Sequence, residues 1–297
     1  MKRTNILQLT VILAIAAFFA TACDPYQQDD YVEQVVVQSW LIADEPLPVV
    51  KLSRTIPIEE VYSFDRAAIS NAQVEVRLLS ANGQVERTYT YAVGQPGIYA
   101  PIQGNVLVEP LRRYELLVRI AGKPDVMAQT LVPGRFQTVS QNNTRIKYQS
   151  TEQLELEVTR SLYPGRQNYY VFTIETLDPE NAELTPFYAD VLDANQRKDV
   201  YLNQSGILFE ANTELNPVTN TLKFKLPWIG VAFYGPTRIT TNAIDDAMYN
   251  FIRTKDVQLG GSTLSPGEIN NVATNVSNGI GVFGSYARSS IEVIIEK

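Results

Sequence analysis

The sequence predicts a mainly β protein: an immunoglobulin-like or transthyretin-like β-sandwich over residues 34–134, then a larger β-rich domain over 135–297 with one amphipathic helix at 243–254. Three observations lead there. From Gln34 onward, short runs of β-branched and aromatic residues recur between turn signals. About seven such runs fall within roughly a hundred residues, the density of a sandwich. A single segment, NAIDDAMYNFIRTK, switches from alternating to helical periodicity.

VVVQSWLI (Val35–Ile42) and VVKLSRT (Val49–Thr55) flank the proline-bearing turn DEPLP and read as the first two strands. Trp40 lies in the first and reads as a core residue. AQVEVRLL (Ala72–Leu79) and QVERTYTY (Gln84–Tyr91) alternate apolar and polar side chains across Asn82-Gly83, a strong short-range hairpin signal. GIYAP, YELLVRIAG and VMAQTLVP complete the sandwich, and Pro133-Gly134 marks the boundary. Beyond it, RIKYQ, LELEVTR, NYYVFTIETL, FYADVL, TLKFKLPWIGVAFYG (Thr221–Gly235) and SSIEVIIE (Ser289–Glu296) read as further strands. Leu222, Phe224 and Leu226 alternate with Lys223 and Lys225, so one face is buried and the other wet. Residues 181–185 and 193–199 and the Gly/Ser/Pro/Asn stretch Leu259–Asn275 read as loops. In the helical segment, Ile244, Ala247, Met248, Phe251 and Ile252 share one face. Asn242 is its expected cap, with Asp245 and Asp246 in the first turn facing the positive end of the helix dipole.

Residues 1–22 read as an export signal: Lys2 and Arg3, an apolar run Ile6–Phe19, then small residues. The sequence ATAC, Ala20–Cys23, places the chain's one cysteine where the apolar run ends, and resembles a lipobox in which Cys23 is acylated after cleavage. Residues 23–33 are then the acylated N-terminus and an acidic tether, with Asp29-Asp30 resembling a surface-sorting signal. Cleavage before Cys23 leaves 23 basic against 32 acidic side chains, a net charge of −9. That balance opposes nucleic acid and anionic headgroups as partners, because both are held by Lys/Arg clusters. Membrane attachment therefore falls to the lipid, which contributes about 0.8 kcal/mol per buried methylene.

The composition also narrows the chemistry. With no histidine and one cysteine among 297 residues, neither imidazole-based nucleophile systems nor the common His/Cys metal sites can be assembled. No cofactor or metal is expected, and no catalytic residue is assigned. A carboxylate pair of the glycoside-hydrolase type is the strongest remaining enzymatic option. The adjacent pairs Glu59-Glu60 and Asp245-Asp246 do not suit it, because neighbours in an extended or helical segment point in different directions. NGIGVFGSY (Asn278–Tyr286) contains the spacing G-x-G-x-x-G. A dinucleotide loop needs a strand before it and a helix after it, whereas here a loop precedes and a β-branched strand follows. Gly279, Gly281 and Gly284 read instead as places where a late strand bends or meets another backbone, with Ile280, Val282 and Phe283 turned to the core. Tyr163, Tyr169, Tyr170, Phe187, Tyr188, Tyr201, Phe233 and Tyr234 could stack on sugars, but in a β-rich chain they more simply pack across strands.

VVVQSWL, VKLSRT, ISNAQVEV, NGQV, LLVRIAGKPDVMAQTLVP, MYNFI and NVSNGIGVFGSYARSS together resemble the domain of unknown function 4249 lipoprotein family. The resemblance implies an outer-membrane lipoprotein, often encoded beside a TonB-dependent receptor. The expected function is a non-catalytic, lipid-anchored accessory or binding protein of that receptor in nutrient uptake. A surface adhesin or glycan-binding module is the alternative, and a carboxylate hydrolase the third.

Overall fold

The computed structural model describes residues 31–191, 202–256 and 272–297. The export signal, Cys23, Asp24–Asp30, Asp193–Asp199, Tyr201 and most of Leu259–Asn275 lie outside these residues. In chain order the first elements are β1 (Val35–Ile42), β2 (Val50–Arg54), the short helix α1 (Phe64–Ala67), β3 (Gln73–Leu79), β4 (Val85–Gln95), β5 (Ile98–Pro101), β6 (Arg113–Arg119) and β7 (Val126–Leu131). Then follow β8 (Thr138–Gln141), β9 (Arg145–Lys147), β10 (Leu154–Thr159), β11 (Tyr169–Thr176), β12 (Glu183–Leu184) and α2 (Pro186–Val191). The chain continues through β13 (Leu202–Gln204), β14 (Leu208–Phe209), β15 (Glu214–Asn216), β16 (Thr221–Leu226), β17 (Phe233–Ile244), α3 (Asp246–Asp256), β18 (Val276–Ser277) and β19 (Ile280–Glu296).

The protein is mainly β and built as packed sheets, as the alternating pattern predicts. The large sheet runs β13-β11-β17-β19-β1-β2-β5-β4-β3-β6-β7-β18, and a smaller sheet runs β15-β16-β10-β8. The β3–β4 hairpin turns at Asn82-Gly83 with Gly83 at φ +80°. Its register shifts at Leu78/Leu79, where Glu86 is the extra residue on β4, a β-bulge.

Two large hydrophobic cores result, beside a smaller cluster of Val171, Ile244 and Ile252. The first packs Val37, Leu41, Val74, Val76, Tyr99, Tyr114, Leu116 and other inward residues of β1–β7 together with Val276 and Phe283. The large sheet curls around it until β7 returns beside β19, where the Asn275 side-chain amide bridges Gln129 O at 3.0 Å and Phe283 O at 2.8 Å. The second core lies between the small sheet and β11, β17 and β19, with Leu156, Phe172, Phe224, Ile239, Ala287 and Val293 among its members. The 17 residues of β19 thus serve both cores: Phe283 enters the first and Ala287, Val293 and Ile295 the second. β19 pairs parallel with β1 along Val36–Ile42 and antiparallel with β17 along Gly235–Ile244, and residues 34–297 form one compact unit.

Several local expectations are corrected. Within FYADVL, residues 187–191 are helical, not extended, because Pro186 occupies the first helical position, where its fixed φ suits a helix and its missing N–H costs nothing. TLKFKLPWIGVAFYG is not one strand: Pro227 ends β16, a single 3-10 turn covers Trp228–Gly230, and β17 begins at Phe233. β17 then runs on to Ile244, so Asn242 is a strand residue rather than the helix cap. Asp245 is the cap: its Oδ1 accepts the Met248 N–H at 2.8 Å, the geometry of an N-cap carboxylate. The helix accordingly starts at Asp246, three residues later than expected. SSIEVIIE is the end of β19, which begins inside the glycine motif.

Those glycines are where β19 meets its neighbours. Gly281 has φ +110°, and a Cβ built on it would lie 2.0 Å from Val37 O. At Gly279 a Cβ would meet Val35 O at 2.8 Å, and at Gly284 the Met248 side chain at 2.7 Å. Val282 and Phe283 are buried, and Ile280 is half-buried, so the motif is a close-approach device between β19, β1 and α3.

Candidate binding cleft

Alternation along the strands creates a second face. On β11, Tyr170, Phe172 and Ile174 point into the second core, so Val171 and Thr173 point away from it. On β17, Ile239 and Ala243 face that core, leaving Thr240, Asn242 and Ile244 on the opposite side. Tyr286 and Arg288 of β19 and Trp40 of β1 continue this row. α3 closes one end, with Met248 and Tyr286 packed against buried Ile244 and Ile252.

The result is a cleft of about 260 Å³ walled by Trp40, Asn242, Met248, Ile252, Tyr286 and Arg288, with Leu202 and Gln204 of β13 at its edge. Its volume falls just below the roughly 300–1,000 Å³ of small-molecule sites. Trp40 is half-buried and outside the hydrophobic clusters, which corrects its reading as a core residue: it sits on the opposite face of β1 from Val37 and Leu41. Its indole N–H is buried and has no acceptor among the described residues. Arg288 donates from Nε to Glu45 Oε1 at 2.5 Å. Burial raises the pKa of the Tyr286 hydroxyl, opposed by nearby Arg288, so it remains a neutral donor at physiological pH. The cleft therefore offers an apolar floor, two aromatic rings and N–H and O–H donors. That set is suited to ring stacking and hydrogen bonding.

Asn242 fixes the floor. Its side-chain amide donates to Val171 O at 3.0 Å and to Thr173 Oγ1 at 3.2 Å, tying β17 to β11. Asn242→Ala is expected to cost about 1–3 kcal/mol, measured by urea unfolding, because a buried polar partner is removed without a replacement. An unchanged midpoint would show that the amide does not brace the floor.

The remaining aromatic residues are mostly structural. Tyr163, Tyr170 and Phe233 are buried. Tyr169 stacks on Tyr249 at 4.3 Å between ring centres. The Arg166 guanidinium lies 3.7 Å from the Tyr163 ring centre and 4.1 Å from that of Tyr169, a pair of cation–π contacts. Tyr188 donates to Ile229 O at 2.7 Å beside Phe187, and Tyr234 packs on Tyr148. Glu59 and Glu60 are exposed on the loop before α1, while Asp245 is buried and Asp246 exposed. Among the described residues no group of three or more acidic or thiol side chains is placed to hold a metal ion, and no helix is long and apolar enough to cross a membrane. Trp40, Asn242, Tyr286 and Arg288 as a set were not apparent in the sequence, since they come from three strands far apart in the chain; the one available signal was that Trp40 shares the parity of Gln38 rather than of Val37.

The fold defines a mainly β sandwich-type protein with two cores sharing one strand. The chain belongs to the family described as Domain of unknown function (DUF4249), whose profile matches residues 24–292. No curated protein matches it. Among solved structures, a Salmonella alpha-2-macroglobulin reacted with methylamine is similar at 10% identity and a TM-score of 0.24, over 90% of this chain and 15% of that one. A DUF4785 family protein from Legionella pneumophila is similar at 13% identity and a TM-score of 0.24, over 85% of this chain and 58% of that one. The chain thus spans less than two thirds of either protein.

Proposed function

We propose that the protein is a lipid-anchored outer-membrane accessory or binding protein, without catalytic activity, that works with a TonB-dependent receptor in nutrient uptake. The observation that carries this reading is ATAC: the chain's one cysteine follows small residues at the end of an apolar run. Family membership is consistent with it, and so is a composition without histidine. Replacement of Cys23 by alanine is expected to move the protein from the membrane fraction to the soluble fraction. A variant that stayed with the membrane would remove the lipid from the proposal. Co-isolation of a β-barrel receptor from detergent-solubilised outer membranes is the companion result, and its repeated absence would remove the receptor.

A second reading, a glycan-binding module, draws on the cleft, where Trp40 and Tyr286 provide rings beside the Arg288 guanidinium. Aromatic faces suit the apolar faces of sugars while amides and guanidinium groups take their hydroxyls. Oligosaccharide titration followed by tryptophan fluorescence separates the readings.

A further inference from the structure

Asp245 is only 1% exposed, and Thr130 and Ser285 around it are 3% and 0% exposed. Four oxygens stand in series. Asp245 Oδ2 is 2.5 Å from Thr130 Oγ1, which is 2.6 Å from Ser285 Oγ, which is 3.1 Å from Leu131 O. Three O–H···O links require three protons. The two hydroxyls supply two, and the Leu131 carbonyl can only accept. If all three contacts, including the longer one from Ser285 to Leu131 O, are hydrogen bonds, the third sits on the Asp245 carboxyl. With it in place, Asp245 donates to Thr130, Thr130 to Ser285 and Ser285 to Leu131 O, while Oδ1 still accepts the Met248 N–H at 2.8 Å. Without it, Thr130 donates to Asp245 and Ser285 to Thr130, and the contact from Ser285 to Leu131 O is left without a proton.

We propose that Asp245 is a proton-operated clasp that ties β7 and β19 to the first turn of α3, closed when its carboxyl is protonated and loosened when it is ionised. The environment agrees with the count. Burial pushes the carboxyl up to about 6, against the pull of hydrogen bonds from Thr130, Met248 and Ser285, and neighbouring Asp246 raises it further. The charged and titratable groups facing the site are Asp246 on α3, Arg113 on β6 and Tyr163 in the segment after β10. Arg166 is engaged by Asp246 at 2.6 Å, and Tyr163 reaches Asp246 Oδ2 at 3.2 Å, so neither is committed to Asp245.

The clasp reaches the cleft through α3. Met248 is capped by Asp245, presses on Gly284 of β19, and forms part of the cleft wall. Its effect on binding rests on the cleft reading above; the proton count does not.

The sign follows from linkage. The folded carboxyl binds its proton more tightly than the unfolded one, near 3.9. The clasp's contribution is therefore complete below pH of about 4 and lost as pH rises through about 6. The test compares urea unfolding of the full chain and its Asp245→Asn variant from pH 5 to pH 8, because the amide supplies the third hydrogen permanently. The wild-type unfolding constant is expected to increase about tenfold relative to the variant between pH 5 and pH 7.5, with the variant at least as stable as wild type at pH 7.5. A variant less stable at pH 7.5, with the wild-type pH slope retained, would identify Asp245 as an ordinary ionised cap and overturn the clasp. If the variant fails to fold, the carboxyl ¹³C resonance of Asp245 in the wild-type chain decides: a midpoint near 6 supports the clasp, one below 4 overturns it. A Met248 methyl resonance that moves with the same midpoint supports the link to the cleft, and a fixed one overturns that link. Both outcomes are independent of membrane attachment through Cys23.

Discussion

Gly281→Ala is expected to leave the chain insoluble or to lower its stability by at least about 4 kcal/mol, the range reserved for forced backbone displacement and strain. The added methyl would need to occupy space 2.0 Å from Val37 O, its partner within the parallel β1–β19 ladder. φ of +110° adds a second obstacle, since an L-residue rarely adopts it. The two contributions are separable. Gly83 has φ +80° with open space around its Cβ position, so Gly83→Ala isolates the conformational part and should cost about 1–2 kcal/mol. Thermal unfolding followed by circular dichroism distinguishes them: a drop of about 10 °C or more for position 281 and a few degrees for position 83. Equal, small shifts would show that β1 and β19 are not held this close. A folded Gly281→Ala chain that lost partner binding alone would move the glycine motif from scaffold to recognition surface.

Phe172→Ala should be the most damaging truncation of the second core, at about 3–5 kcal/mol. Phe172 is 1% exposed and meets Phe224 edge to face, with ring centres 5.4 Å apart at 88°. Phe224 also meets Tyr170 at 5.2 Å, so the ring joins the two sheets across the sandwich. A double-mutant cycle with Phe224→Ala is expected to show about 0.5–1.5 kcal/mol of coupling, beyond the area each ring buries. Strictly additive losses in urea unfolding would mean that the small sheet does not pack on β11 in this register. The damage should extend to the first core only through β19, whose Ala287, Val293 and Ile295 line the second core while Phe283 belongs to the first.

Elements defined by their own periodicity were legible. VVVQSWLI was legible as a strand, and the alternation in TLKFKL also fixed which side of β16 is buried. The acidic pair at 245–246 marked a helix start, and the structure places the cap on its first member. The glycine motif was recognisable as a backbone device from the strand that follows it. What failed were boundaries and roles set by distant partners. Asn242 looks like a cap because caps are commonly Asn, yet its amide is taken by Val171 O and Thr173, about seventy residues earlier. Trp40 looks like core because it is large and sits in a strand, yet alternation turns it to the face where Tyr286 and Asn242 build a cleft.

The sequence by itself determined that this is a mainly β chain, that it holds no histidine and one cysteine from which to build imidazole-based nucleophile systems or the common His/Cys metal sites, and that its glycine motif is no phosphate loop. These follow from composition and from periods of two or 3.6 residues, which are local properties. Only the tertiary structure decided that β19 would be shared between two cores, that strands far apart in the chain would line one cleft, and that Thr130, Asp245 and Ser285 would stand in a line one proton short. Such facts depend on which segments meet across more than a hundred residues. Strand pairing sets that through register, and no local pattern encodes the partner.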